Sequence, residues 1–255
     1  MKREFENRCA IVIPFLLICA LWSSSLASGA EKKIGQVSFL VGGVNDIKIL
    51  HRGEADWKPV RLNTEVFTAD QIQTSKESRC EVKLLDNSVV RIGENSIFEF
   101  SESNISKSKI DLKADLKKGK IWSNVQKVNP TGSGFQIRTP TAVCAVRGTI
   151  YRIDADSTTT CLVYEGAVNV GPAMLWGQSS TPGQKSLQPT EVQGPTEIPP
   201  PFEVTLEQWV EIVKGYQIIV RPDGKYEKSR FNVQEDNRLD WVRWNQERDR
   251  LLRPR

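Results

Sequence analysis

Histidine is almost missing from this chain: His51 stands alone in 255 residues. A single imidazole gives no His-rich metal site, so no metal ligand is assigned. The G-x-S-x-G nucleophile elbow, the phosphate loop and the dinucleotide fingerprint are all absent. Glu94 with Glu99, and Asp111 with Asp115, sit in ordinary surface patterns. We therefore expect no catalytic residue, no cofactor and no enzyme, and His51, beside Arg52 and Gly53, reads as an exposed loop residue. An excess of one charge is lacking too. The 35 basic and 31 acidic residues leave a net charge of +4, and the two signs are interleaved. A nucleic-acid surface needs basic residues clustered on one face, so no nucleic-acid partner is expected. No Cys-x-x-Cys pair occurs among the five cysteines.

The first thirty residues depart from the rest. Lys2, Arg3 and Arg8 precede an uncharged apolar run at 9–22 (CAIVIPFLLICALW), and mostly small residues fill 23–30. Basic start, apolar core and small-residue zone are the plan of a secretory signal, here with cleavage after Ala30 or after Ala27. The run is shorter than the ~20 residues of a membrane span. The expected protein is periplasmic or secreted, with no stable membrane span once the signal is cut, and a retained anchor is the alternative. The mature part keeps Cys80, Cys144 and Cys161, an odd number that reads as small buried thiols. Cys144 and Cys161 flank a turn at 154–157 unequally, which predicts that they do not face each other directly.

From residue 34 to about 170, apolar and polar residues alternate in short runs broken by turn residues every 8 to 12 positions, the mark of a sandwich, barrel or solenoid. Cys80, Val82 and Leu84 share one strand face, and Asp86-Asn87 makes a turn. Residues 112–118 carry some helical character and end at Gly119. A strand pair is conceivable at 173–176 with 184–187, and 188–201 reads as a Pro-rich linker. Beyond it the period changes. Thr205 and Gln208 form a capping-box start, with Leu206, Trp209, Val210 and Val213 on one helical face up to Gly215. Residues 217–226 read as a hairpin around Pro222-Asp223-Gly224. A last helix runs from Asp236, with Trp241, Trp244, Arg248 and Leu251 at helical spacing. The expected architecture is mainly β: a signal at 1–30, a β domain at 31–187, the linker at 188–201, and a small α+β appendage, helix–hairpin–helix, at 202–255.

One stretch is more specific. Residues 135–170 read FQIRTPTAVCAVRGTIYRIDADSTTTCLVYEGAVNV. Thr139-Pro140, then Val146-Arg147-Gly148-Thr149, a strand, a turn, a strand and Glu165-Gly166-x-Val168 resemble the periplasmic FecR domain. Residues 68–74, 80–91, 119–122 and a closing Gly-Gln at 177–178 or 183–184 resemble it in the same order, so the likeness spans 34–187. It implies a FecR-type β-sandwich or β-roll in the cell envelope. The motif's own chemistry is mainly structural. Pro140 stops or kinks a strand, and Gly148 allows a special backbone turn or close approach. Arg147 is expected to bond carbonyls or a carboxylate inside the domain, with Glu165 the candidate carboxylate, and a partner-facing Arg147 is the alternative.

The family's best-known members join this domain to a membrane helix and a cytoplasmic region that controls a sigma factor. Here only residues 1–8 could be cytoplasmic, so that anti-sigma role is not expected. What the resemblance implies is a binding or signalling module that docks on another envelope protein. The alternatives are a glycan- or peptidoglycan-associated binder using exposed aromatics, with Trp176 the candidate, and a signal-anchored remnant of a transmembrane regulator. Trp57 reads as core.

Overall fold

The computed structural model describes residues 32–103, 111–126, 134–175, 204–205 and 208–252. Eighteen strands, numbered in chain order, lie among the described residues and form one continuous mixed sheet system that folds into two layers. Layer A runs β4 (Glu65–Phe67), β1 (Lys33–Val41), β6 (Arg79–Leu84), β7 (Val89–Ile92), the second half of β9 (Leu112–Asn124), β12 (Ile150–Ala155), β13 (Thr159–Glu165), β17 (Tyr216–Val220), β18 (Lys225–Arg230) and β15 (Val204–Thr205). Layer B runs β3 (Lys58–Pro59), β2 (Ile47–Leu50), β5 (Gln71–Thr74), β8 (Ile97–Ser103), the first half of β9, β10 (Phe135–Arg138), β11 (Ala142–Val146), β14 (Ala167–Pro172) and β16 (Val210–Val213). Among the described strands only β9–β10 is parallel. Two short helices follow, α1 (Val233–Asp236) and α2 (Asp240–Leu252).

Period-2 alternation places the core. Cys80, Val82 and Leu84 of β6, Val90 and Ile92 of β7, and Tyr151, Ile153 and Ala155 of β12 enter the same apolar cluster as Leu112, Ala114 and Leu116 of layer B. β9 serves both layers: residues 112–118 pair with β8 and residues 121–124 with β7. The switch falls at Gly119, whose φ of +91° is open to glycine and costly for other residues. Because the inward set on β6, β7 and β12 is already apolar, the outward set decides what else the fold needs. With the neighbouring β9 and β13, that set includes Glu81, Arg91, Trp122, Arg152 and Tyr164.

Several expectations are corrected. Residues 112–118 are strand, because both edges of β9 find partners. The expected first helix of the appendage is absent: Val210–Val213 is a strand, β16, laid antiparallel on the open edge of β14. Available sheet edge has overridden helical periodicity there. Residues 217–230 do form the expected hairpin. With β16 and β17 extending both layers, the C-terminal segment is woven into the β fold. The final helix begins at Asp240, after the short α1, and Leu251 is exposed. Residues 173–175 form a 3-10 turn. His51 is half-buried, its Nδ1 2.9 Å from Oδ1 of the fully buried Asp70, and Trp57 is half-buried where a core residue was expected. The signal segment at 1–30, the linker at 188–201 and Trp176 lie outside the described residues.

Cys80, Cys144 and Cys161 are buried free thiols. Cys144 is on β11 and Cys161 on β13. They do not sit across one hairpin. The chain changes layer between β11 and β12, so Cys144 lies in layer B and Cys161 in layer A.

Candidate functional site

The sequence-predicted motif builds the two points where the chain crosses between layers. Arg147-Gly148 carries it from β11 to β12, and Glu165-Gly166 carries it back from β13 to β14. The crossings touch: Thr149 Oγ1 donates to the Ala167 carbonyl (2.9 Å) and the Arg147 carbonyl (3.1 Å). Gly148 and Gly166 both have positive φ (+59° and +82°), and a Cβ on Gly166 would lie 2.9 Å from the Gly148 carbonyl. Thr139 closes the β10–β11 turn through Ala142 N–H and O (3.0 Å each) and meets Thr159 Oγ1 at 2.6 Å. Pro140 is exposed at that turn. Arg147 and Glu165 are both exposed, so Arg147 is not the internal arginine that was expected. The motif thus brings Thr149, Gly148 and Gly166 together and leaves the Arg147 side chain on the surface.

The internal arginines are Arg91 and Arg152, on the outward face of layer A under α2. Helix α2 starts with Asp240 in its first turn and ends with Arg250 in its last, the charge order that suits a helix dipole. Its buried side carries Trp241, Val242, Asn245 and Asp249. Arg91, fully buried, donates from Nε to Glu81 (2.6 Å) and from Nη1 to Asp249 (2.7 Å). Asp249 also accepts from Trp122 Nε1 (2.8 Å) and Asn124 Nδ2 (3.1 Å). Arg248 forks onto Glu81 at 3.0 and 2.7 Å. A second clamp lies beside it: Arg152 donates to Asp236 (2.8 Å), which also accepts from the Tyr164 hydroxyl (2.6 Å). Apolar contact comes from Trp122, Trp241 and Val242 with Ile150, Tyr164 and Trp244, and from Phe39 against Trp244 and Phe231 against Tyr164. A pattern existed in the sequence: arginine inside otherwise apolar strands (Val-Val-Arg-Ile and Ile-Tyr-Arg-Ile) and an acidic residue on the tryptophan face of the last helix.

Beside the start of α2 opens a cavity of about 480 Å³, whose lining includes Arg79, Glu94, Lys120, Arg152, Asp154 and Trp241. Its charges are already engaged. Lys120 pairs with Glu94 at 3.0 Å, Arg79 pairs with Asp240, and Arg152 Nε lies 2.9 Å from Asp154. Burial holds the Asp154 carboxyl above its ordinary value despite Arg152. The cavity is of ligand size and mixed in sign, so it suits a group that bears both charges or a partner's polar side chain. Among the described residues no cluster of three or more His, Cys, Asp or Glu could hold a metal ion, and no helix is long and apolar enough to cross a membrane.

The clamp predicts an acid limit. Burial pushes Glu81 up, and the hydrogen bonds from Arg248 and Arg91 together pull it further down, leaving it below its ordinary value. A carboxyl depressed in the folded state stabilises above its unfolded pKa, and that stabilisation is lost as pH falls through the folded value. The loss therefore falls below about pH 4.3. Glu94 and Asp240 are lowered too, but both face solvent, where screening shrinks the effect. Asp154 runs the other way, since protonation suits its buried setting. The Trp122–Tyr164 ring pair, 4.3 Å apart beneath the helix, makes near-UV circular dichroism the readout. Glu81→Gln should flatten the acid limb, and an unchanged acid profile in that variant would refute the assignment.

Residues 70–169 match the family model described as FecR protein. The chain carries a FecR domain. The matched segment runs from the start of β5 into β14. The FecR domain therefore supplies Glu81, Arg91, Trp122, Asn124 and Arg152, while Asp236, Arg248 and Asp249 come from outside the match. Two crystal structures of a protein provisionally described as an anti-sigma factor, from Parabacteroides distasonis ATCC 8503, are similar to this chain. They are 18% and 17% identical, with TM-scores of 0.45 and 0.46. The alignments cover 66% and 68% of this chain, and 62% and 64% of theirs, so the chain spans less than two thirds of either one's length. No curated protein matches the chain.

Proposed function

We propose that this chain is a non-catalytic, exported binding or signalling module that docks on another protein of the cell envelope. The observation that carries the proposal is the FecR domain at 70–169, a domain of regulatory proteins, in a chain whose first thirty residues follow the basic–apolar–small plan of an export signal. The glycan reading gains no support from Trp122, Trp241, Trp244 and Trp209. Trp122 and Trp241 are buried, Trp244 stacks on Trp241 at 5.5 Å, and Trp209 packs on Gly171; a sugar platform needs an open ring face.

The test is retention from the native host's envelope, separated into detergent-soluble proteins and insoluble wall. Retention of one membrane protein that also binds the chain when purified is the expected result. Co-sedimentation with purified wall, competed by soluble sugars, would replace docking by glycan binding. A photo-crosslinking residue in place of the exposed Glu77, at the rim of the cavity, locates the surface. If the cavity receives the partner, an Arg79→Glu variant that still folds should bind about tenfold or more weakly, the loss of at least one charged contact.

A further inference from the structure

The cavity beside the start of α2 rests on one row of outward positions across layer A. Asp154 of β12 stands opposite Lys120 of β9. Gly93, at the end of β7, donates its N–H to the Lys120 carbonyl at 2.8 Å. Arg79 comes next on β6, one step past the Cys80–Ile92 pair. Gly93 has no side chain, and the Lys120 chain lies flat against it: a Cβ there would be 2.5 Å from Lys120 Cγ. Trp241 and Leu239 add an apolar wall at the positive end of the α2 dipole. The charges along this row are unevenly served. At one end a single guanidinium, Arg152, serves two carboxylates, Asp154 at 2.9 Å and Asp236 at 2.8 Å, while Lys120 turns to Glu94. Burial keeps the Asp154 carboxyl above its ordinary value, so a further cation is welcome there. At the other end Arg79 lies over the rings of Trp241 and Trp244, at 5.6 and 5.1 Å. Its ion-pair partner Asp240 has a side chain 70% exposed. A pair so open to water contributes little, and another carboxylate can share or replace Asp240.

We propose that this cavity binds a small zwitterion of the amino-acid or dipeptide class, with its ammonium group on Asp154 and its carboxylate on Arg79 and Lys120. An apolar side chain of the ligand rests on Trp241 and Leu239. The volume of about 480 Å³ lies in the range of small-molecule sites. Arg79 and Asp154 stand three strand spacings apart, about 14 Å between backbones, and both line the space between them. A plain anion would meet Glu94 and Asp154, and a plain cation would meet Arg79 and Lys120. A molecule with both charges meets an opposite charge at each end. The proposal goes beyond the docking reading and does not depend on it.

The experiment is calorimetric titration of the full chain with glycyl-L-leucine, with its N-acetyl form, which lacks the ammonium, and with its C-terminal amide, which lacks the carboxylate. Saturable one-to-one binding of the dipeptide is expected, with a Kd below about 1 mM. Each blocked form should bind about tenfold or more weakly, the loss of one charged contact. Asp154→Asn keeps the side-chain shape. It should weaken the dipeptide about tenfold and leave the N-acetyl form unchanged, because both changes remove the same contact. Arg79→Met should do the same for the dipeptide and the amide. The near-UV signal of the Trp122–Tyr164 pair shows whether each variant has kept its fold. No saturable binding of glycyl-L-leucine or of free leucine up to about 10 mM would overturn the proposal. So would blocked forms that bind as well as the parent, or an Asp154→Asn loss that adds in full to that of N-acetylation. Each of these results leaves the retention test of envelope docking standing on its own.

Discussion

Replacing Asp249 by alanine is expected to release α2 from the sheet and to remove about 3–5 kcal/mol from its docking, the cost of breaking a buried ion pair from one side. The carboxylate satisfies three donors at once: Arg91, Trp122 and Asn124. Without it, Arg91 keeps Glu81 but loses its second anion while fully buried, and the Trp122 indole N–H is left without an acceptor. Each such orphan costs about 1–3 kcal/mol. Against this the helix sets the Arg248–Glu81 and Arg79–Asp240 pairs, the Phe39–Trp244 contact and two buried anchors. Trp241 and Val242 are its buried apolar anchors, and burying a large apolar side chain yields about 1.5–3 kcal/mol. Penalty and anchorage are of the same size, so the helix should leave before the two layers unfold. The measured result would be trypsin cleavage at Arg243, Arg248 and Arg250 under conditions where the wild-type helix is protected, with the β core still folded by denaturant titration.

The double variant Arg91→Met, Asp249→Leu gives the contrasting outcome. It removes one cation and one anion together and leaves Glu81 paired with Arg248. Exchange of a buried ion pair for apolar residues of similar volume is often close to neutral, so this variant should lie nearer the wild type than Asp249→Ala does. A single variant that loses less than about 1 kcal/mol and keeps α2 protected would mean that water replaces the carboxylate, and the clamp would then not be what holds the helix.

What could be read in the sequence follows the range over which each signal acts. The strand faces of β6 and β7 were legible because alternation is local, as were the Asn87 turn, with φ of +69°, and the hairpin whose Gly224 has φ of +79°. The crossover motif was legible as structural, since Pro140, Gly148 and Gly166 restrict or free the backbone at their own positions. The clamp was not. Arg91 meets Asp249 across 158 residues and Arg152 meets Asp236 across 84, and no local rule links such pairs. The same limit explains the missed strand at Val210–Val213. Its helical spacing and its Val-x-Ile alternation both fit the sequence, and only the open edge of β14, forty residues earlier in the chain, decides between them. Arg147 misled because arginine in an apolar neighbourhood suggests burial, while the layer crossing turns that position outward.

Gly119→Val is the second variant with a large expected effect, a loss of more than about 3 kcal/mol or failure to fold. Two independent costs add. The residue has φ of +91°, where a β-branched side chain is strained by about 1–3 kcal/mol. A Cβ there would also lie 2.5 Å from Ser96 Cα, a backbone atom that cannot swing away. Ser96 is itself fixed: its Oγ accepts from Lys120 N–H at 3.0 Å, and its N–H donates to Thr74 Oγ1 at 3.0 Å. Relief of the clash would move β8 off β9 at the point where β9 passes from one layer to the other, so both layers would feel it. Gly53→Ala is the matching control. Its φ is +76°, but nothing lies within 4 Å of the added Cβ, so it should cost only about 1 kcal/mol, the backbone share alone. If the two variants lost similar stability in denaturant titrations, backbone conformation alone would account for Gly119. A much larger loss at Gly119 would show that the close approach of Ser96 is what fixes the turn of β9 between the layers.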